Sequence, residues 1–213
     1  MTRPLMDSSR RDTLKSIARC AAIACGTALF SACTKEEKEE KPQFKSIDLT
    51  GADYARDFAL PDQNGQIRSL KDFTGKVVVV FFGFTQCPDV CPTSMAELAQ
   101  IKQSLGAEGN KLQAIFITVD PERDTPELLK AYMGNFDATF LALRPTIDKL
   151  PEVAKAFKIF YKKVEGRSAG SYSMDHSAGS YVYDPKGQIR LYSRYGTGPE
   201  GLAADIRLLL KGA

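Results

Sequence analysis

Cysteine and histidine are both scarce in this chain, and that scarcity narrows its chemistry. Of 213 residues one is histidine, His176, and five are cysteine. Cys20, Cys25 and Cys33 fall in a stretch that reads as an N-terminal export signal, leaving Cys87 and Cys91 to the folded part. Two cysteines exclude a disulfide-dense scaffold, and within one chain they exclude a four-cysteine zinc or iron–sulfur site. Net charge is missing as well. The chain carries 29 Lys and Arg against 26 Asp and Glu, but residues 1–32 hold five of the former and two of the latter, so the remainder is neutral. No basic footprint for nucleic acid survives. The signal lacks the roughly 20 apolar residues of a membrane span, and no repeat architecture is present. The Gly-Gln-Ile-Arg at Gly65 and again at Gly187 marks two similar hairpin turns.

Ser9-Arg10-Arg11-Asp12-Thr13-Leu14-Lys15 reads as a twin-arginine signal, followed by a moderately apolar segment of small residues from Cys20 to Ala32. Leu29-Phe30-Ser31-Ala32-Cys33 has the pattern of a bacterial lipobox, in which Cys33 becomes lipidated and N-terminal; ordinary cleavage nearby is the alternative. The expected organisation is a signal peptide over 1–32, a charged flexible tether over 33–43 and one domain over 44–213. Such a chain works on the periplasmic side of a bacterial membrane. The mixed-charge run Lys35-Glu36-Glu37-Lys38-Glu39-Glu40-Lys41 would hold the domain off that membrane as a solvated spacer.

The two remaining cysteines stand in Phe84-Thr85-Gln86-Cys87-Pro88-Asp89-Val90-Cys91-Pro92, after the buried-strand pattern Val77 to Phe82 and before a helical stretch from Thr93. A thiol pair between a strand and a helix N-terminus is where a thioredoxin-like fold keeps its reactive sulfurs. Pro92 suits the first helical position. That puts Cys91 at the N-cap, where the helix field favours thiolate. Pro88 disfavours a regular turn between the sulfurs, so the loop folds back and aims both at one ion or closes them into a disulfide. Soft thiolates select Cu(I), zinc or iron–sulfur clusters; an inert buried pair is the bland alternative.

Beyond the motif, the pattern alternates. Phe58 to Leu60 and Ile67 to Leu70 flank an Asn64-Gly65 turn. A helix over Thr93 to Leu105 presents Met95, Leu98, Ile101, Lys102 and Leu105 on one face, and Ala114 to Val119 is a second buried strand. Thr125-Pro126-Glu127 starts a helix reaching about Phe136. A short strand over Phe140 to Leu143, a helix over Ile147 to Phe157 and an extended Phe160 to Val164 come next. Ser180 to Tyr183 and Ile189 to Tyr192 form a second hairpin, and Gly201 to Lys211 a closing helix. This order predicts an α/β thioredoxin-like fold with a central mixed sheet, an N-terminal hairpin and a helical insertion.

His176 lies just before the second hairpin, in a segment that such a fold brings beside the cysteine turn. Neutral imidazole is a common copper ligand, and a neighbouring carboxylate such as Asp175 would orient or tune it. Met174 is an additional soft candidate, though a core methionine is the commoner role.

Three segments together resemble the signatures of the Sco/SenC family: Phe82 to Pro92, Phe116 to Pro126, and Asp175-His176-Ser177. That resemblance covers the chain from about Phe58 onward. It implies a thioredoxin-fold copper protein that assists assembly of the dinuclear copper site of cytochrome c oxidase. By resemblance Cys87, Cys91 and His176 are the ligands of one copper per chain, as Cu(I) or Cu(II), and a Cys87–Cys91 disulfide is the empty oxidised form. Implied partners are the copper-receiving oxidase subunit and a copper-donor chaperone or thioredoxin-like reductant, met at a membrane reached by the lipid anchor. Gln86 and Phe84 stand where His and Tyr are often found. The Val119-to-Pro126 run is a family mark to which the residues assign no chemistry; a strand end followed by a helix cap accounts for Thr125 and Pro126 but not for Asp120. The rival readings are a thiol–disulfide reductase using Cys87 and Cys91 on the oxidase subunit's cysteines and, more remotely, a thiol peroxidase. The latter needs an arginine near the attacking thiolate, and none lies close in sequence.

Overall fold

The structure, a computed structural model, describes residues 43–213. The signal, Cys33 and the tether up to residue 42 lie outside the described residues. Among the described residues ten strands form in chain order: β1 (Ile47–Asp48), β2 (Leu60–Pro61), β3 (Ile67–Arg68), β4 (Val77–Gly83), β5 (Leu112–Thr118), β6 (Leu141–Leu143), β7 (Tyr161–Glu165), β8 (Tyr172–His176), β9 (Ser180–Tyr183) and β10 (Ile189–Ser193). Four α-helices accompany them among the described residues: α1 (Val90–Ser104), α2 (Pro126–Gly134), α3 (Leu150–Phe157) and α4 (Pro199–Leu210).

Six strands make one mixed sheet in the order β1-β10-β9-β4-β5-β6. Its centre is β4 and β5, paired in parallel from Val77–Leu112 to Gly83–Thr118, with every residue of both strands buried. Val-Val-Val-Val-Phe-Phe and Ala-Ile-Phe-Ile carry apolar side chains to both faces, as a strand covered on both sides requires. The crossover between them is α1, whose Met95, Leu98 and Ile101 enter the core as their spacing predicts. The thioredoxin-like expectation holds. Outside the sheet stand two ribbons, β2–β3 and β7–β8.

The repeated Gly-Gln-Ile-Arg rests on one turn device used twice. Asp62 accepts from the backbone N–H of Asn64 and Gln66 and from Arg68 Nε; Asp184 accepts from the N–H of Lys186 and Gln188 and from Arg190 Nη1. Gly65 and Gly187 take φ of 82° and 75°, which glycine adopts without a Cβ penalty.

Several boundaries differ from expectation. α1 begins at Val90, so Asp89 is its N-cap, Cys91 lies in the first turn and Pro92 is third. The missing N–H of Pro92 would have had no intrahelical partner there. α3 begins at Leu150 and not Ile147, because Pro151 clashes with a helical carbonyl four residues earlier. α2 stops at Gly134. β8 has no counterpart in the sequence reading: Tyr-Ser-Met-Asp-His buries Met174 alone, too little apolar alternation to announce a strand.

Candidate metal centre

The end of β4 and the start of α1 bring the two sulfurs together. After Gly83 the chain leaves the sheet, and the Cys87 N–H donates to the Phe84 carbonyl at 3.2 Å, curling the loop back. Cys91 follows inside the helix and is completely buried; Cys87 is half-buried, and both are free thiols. His176 ends β8 and reaches the pair. Its Nε2 lies 3.6 Å from Cys91 Sγ, and one ligand atom from each of Cys87, Cys91 and His176 falls within 4.8 Å of the others.

The imidazole is set for coordination. Nδ1 lies 2.9 Å from the Ser177 carbonyl, which can only accept, so Nδ1 carries the proton and Nε2 presents its lone pair to the sulfurs. Phe81 and Phe84 meet the ring edge to face at 6.1 and 5.8 Å. Burial holds its pKa below the ordinary histidine value, against opposing contributions from the Ser177 carbonyl and Asp175, so it is neutral at pH 7. Asp175 is exposed and is not the orienting partner; Ser177 takes that place. Met174 is buried among core side chains, the packing role.

One expectation is reversed. The helix field at Cys91 was expected to favour thiolate, yet burial pushes this thiol well above its ordinary pKa. Desolvation outweighs a partial charge at a helix end when the sulfur has no water. Metal must therefore displace its proton.

Two features of the site escaped the sequence. A Cβ on Gly83 would stand 2.8 Å from Cys91 Sγ and equally close to ring carbons of Phe116 and Phe81, so the sulfur occupies space that only glycine leaves free. Asp124 is fully buried and accepts from the Thr85 N–H, from Thr85 Oγ1 at 2.6 Å and from Thr118 Oγ1 at 2.5 Å. It pins the cysteine loop to the end of β5. Its pKa is raised by burial, with those hydrogen bonds opposing.

A family model described as SCO1/SenC matches residues 47–211. The chain belongs to the Sco/SenC family. Among curated relatives, a SCO2-like protein of Rickettsia felis is 36% identical over 157 residues, covering 73% of this chain and 75% of that protein. Among solved structures, Bradyrhizobium japonicum ScoI with copper bound is 38% identical, with TM-score 0.65, covering 72% of this chain and 97% of that one. Yeast Sco1 with copper bound is 31% identical, with TM-score 0.66, covering 74% and 88%.

In this Sco/SenC chain the Val119-to-Pro126 run, to which the residues alone assign no chemistry, holds a structural clamp from Asp120 to Asp124. Asp120 accepts from Tyr172 Oη at 2.9 Å and pairs with Arg123 Nε. Arg144 donates to the carbonyls of Asp124 and Pro121, fixing the turn from outside. Arg123 also supplies what sequence proximity did not, a guanidinium at the cysteine loop: Nη1 donates to Gln86 Oε1 at 3.0 Å. That group is bound to Asp120, Gln86 and the Tyr172 carbonyl, the arrangement of a structural tie.

Proposed function

We propose that this protein carries one copper ion on Cys87, Cys91 and His176 and delivers it to, or prepares, the dinuclear copper site of cytochrome c oxidase. The observation that carries the reading is the convergence of two thiols and a neutral imidazole within 4.8 Å, with Cys91 buried and Cys87 and His176 half-buried. Two thiolates and one nitrogen make a trigonal set suited to Cu(I), and three protein ligands fall short of the four of a structural zinc site. Membership of a family whose solved members include copper-bound forms supports the same choice.

Copper is here a cargo. On loading, Cys87 and Cys91 each release a proton, and His176 Nε2 adds the third donor without one. On release, half-buried Cys87 is the sulfur that an incoming soft ligand of the recipient reaches first. Buried Cys91 lets go last, so the ion passes by stepwise ligand exchange. The pair stays competent only while reduced: forming a Cys87–Cys91 disulfide gives up two protons and two electrons to an oxidant and removes both thiolates. We assign the working location to the periplasmic face, with Cys33 lipidated and residues 33–43 as the tether. A copper-donor chaperone or thioredoxin-like reductant would restore the loaded state.

The reductase reading draws on the same pair, since a half-exposed Cys87 backed by a buried Cys91 also suits attack on a partner disulfide. Complementation of a deletion strain separates the two, with oxidase activity assayed at low copper. Delivery predicts loss of activity in Cys87→Ser, Cys91→Ser and His176→Ala, partly rescued by added copper. Near-parental activity of His176→Ala would promote the reductase.

A further inference from the structure

The three candidate ligands sit on two bodies that no shared sheet unites. Cys87 and Cys91 belong to the β4–α1 junction, whereas His176 ends a ribbon whose two strands pair only with each other, from Tyr161–His176 to Glu165–Tyr172. Four residues beyond His176 the chain joins β9, where Ser180 lies opposite Phe81 of β4, so that end of the ribbon is tied by the chain itself. The distance from Nε2 to the sulfurs depends further on what fastens the rest of the ribbon to the junction.

The geometry points to Arg123 as the positioning residue that fastens them and so sets the copper geometry, an inference that rests on the copper reading above. Its guanidinium is shared between both bodies. Nη1 donates to Gln86 Oε1 at 3.0 Å, on the residue before Cys87, and to the Tyr172 carbonyl at 2.8 Å, on the strand that ends at His176. The plane lies over the Tyr172 ring, 3.5 Å from its centroid, and 5.9 Å from the Phe84 centroid; Phe84 is one of the rings that brackets His176. Asp120, almost wholly buried, holds the guanidinium at Nε with one oxygen and accepts from Tyr172 Oη with the other. Tyr172 is thus gripped by its ring, hydroxyl and carbonyl, and Lys163 covers its ring at 3.9 Å while pairing with Glu122 at 3.0 Å. A planar fork with several donors makes all these bonds at once; an ammonium would serve Asp120 and lose the stack and the second arm.

The tie matters most for the harder ion. Two thiolates alone hold Cu(I), so a displaced His176 costs it little, while Cu(II) needs the nitrogen at bonding distance. Removing groups that orient a ligand lowers metal affinity by about 10–100-fold.

The test uses Arg123→Lys in the full chain, with Gln86→Ala as a second variant that touches only an exposed side chain and keeps the fold if the first does not. Chelator competition should show Cu(II) affinity reduced by about tenfold or more in Arg123→Lys and by a few-fold in Gln86→Ala, with Cu(I) affinity near parental. The thiolate-to-Cu(II) absorption band and the copper hyperfine splitting should shift, signatures that a general loss of stability leaves in place. A metal-free arm follows amide hydrogen exchange: residues 161–176 should exchange faster in Arg123→Lys while β4 and β5 keep parental protection. Parental Cu(II) spectra and affinity in both variants, or unchanged ribbon exchange, overturn the assignment. If the parent itself binds no copper, the functional reading fails, and the exchange arm alone then decides whether Arg123 is the tie.

Discussion

Gly83→Ala reads the metal centre through one methyl group. The new Cβ would meet Cys91 Sγ, Phe116 Cε2 and Phe81 Cε1 all at 2.8 Å, inside a core where β4 and β5 are wholly buried. To reach the 3.4 Å at which ordinary contact begins, the sulfur must retreat by about 0.6 Å. Copper sites tolerate about 0.2 Å in ligand distance, and a displaced ligand costs about tenfold or more in affinity. Overpacking of this kind costs about 1–3 kcal/mol. For a domain of this size that is a fall in Tm of about 2–12 °C. Circular-dichroism melting of the reduced, copper-free protein measures the first effect and chelator competition the second. The sulfur is one of three equally close contacts, so in a Cys91→Ala background, where the two rings still crowd the methyl, the same substitution should cost less but not nothing, with a coupling of at least about 0.5 kcal/mol. Unchanged Tm and copper affinity, or strictly additive effects, would refute the reasoning.

Three further outcomes are expected. His176→Ala should weaken Cu(II) far more than Cu(I); equal retention of both ions would remove His176 from the ligand set. Asp124→Leu leaves the Thr85 N–H and the Thr85 and Thr118 hydroxyls without their acceptor, and at about 1–3 kcal/mol per unsatisfied buried group urea unfolding should show a loss of about 3 kcal/mol or more. Because burial lowers the folded-state pKa of His176, the unfolded chain binds a proton there that the folded chain refuses. Stability of the copper-free protein is therefore complete above pH about 6.5 and falls as pH drops from there towards the lowered folded value. His176→Gln should flatten that limb of the profile, and an unaltered slope between the two proteins would count against a half-buried neutral imidazole.

By itself the sequence determined the fold class and singled out the candidate ligand residues. The apolar runs Val77 to Phe82 and Ala114 to Val119 are long enough and uniform enough to demand doubly covered parallel strands. Two cysteines at the junction after the first, and one histidine in the whole chain, left few ways to build a soft metal site. Local rules also placed Thr125 as a helix cap, and its side chain does accept from the Leu128 N–H. Long-range burial and fork geometry belonged to the tertiary structure alone. Whether Cys91 is a thiol or a thiolate turned on desolvation by residues scattered along the chain, which overrode the helix field that local reading could see. The second strand of the His176 ribbon was hidden because a half-exposed pairing needs little apolar alternation. Asp120, Arg123 and Asp124 stand in a run to which the residues alone assign no chemistry, and their meaning appears only when Tyr172 and the cysteine loop are beside them. Buried polar groups must find partners, and such partners, as with Thr85 and Asp124 at 39 residues' separation, are chosen by the fold and not by spacing.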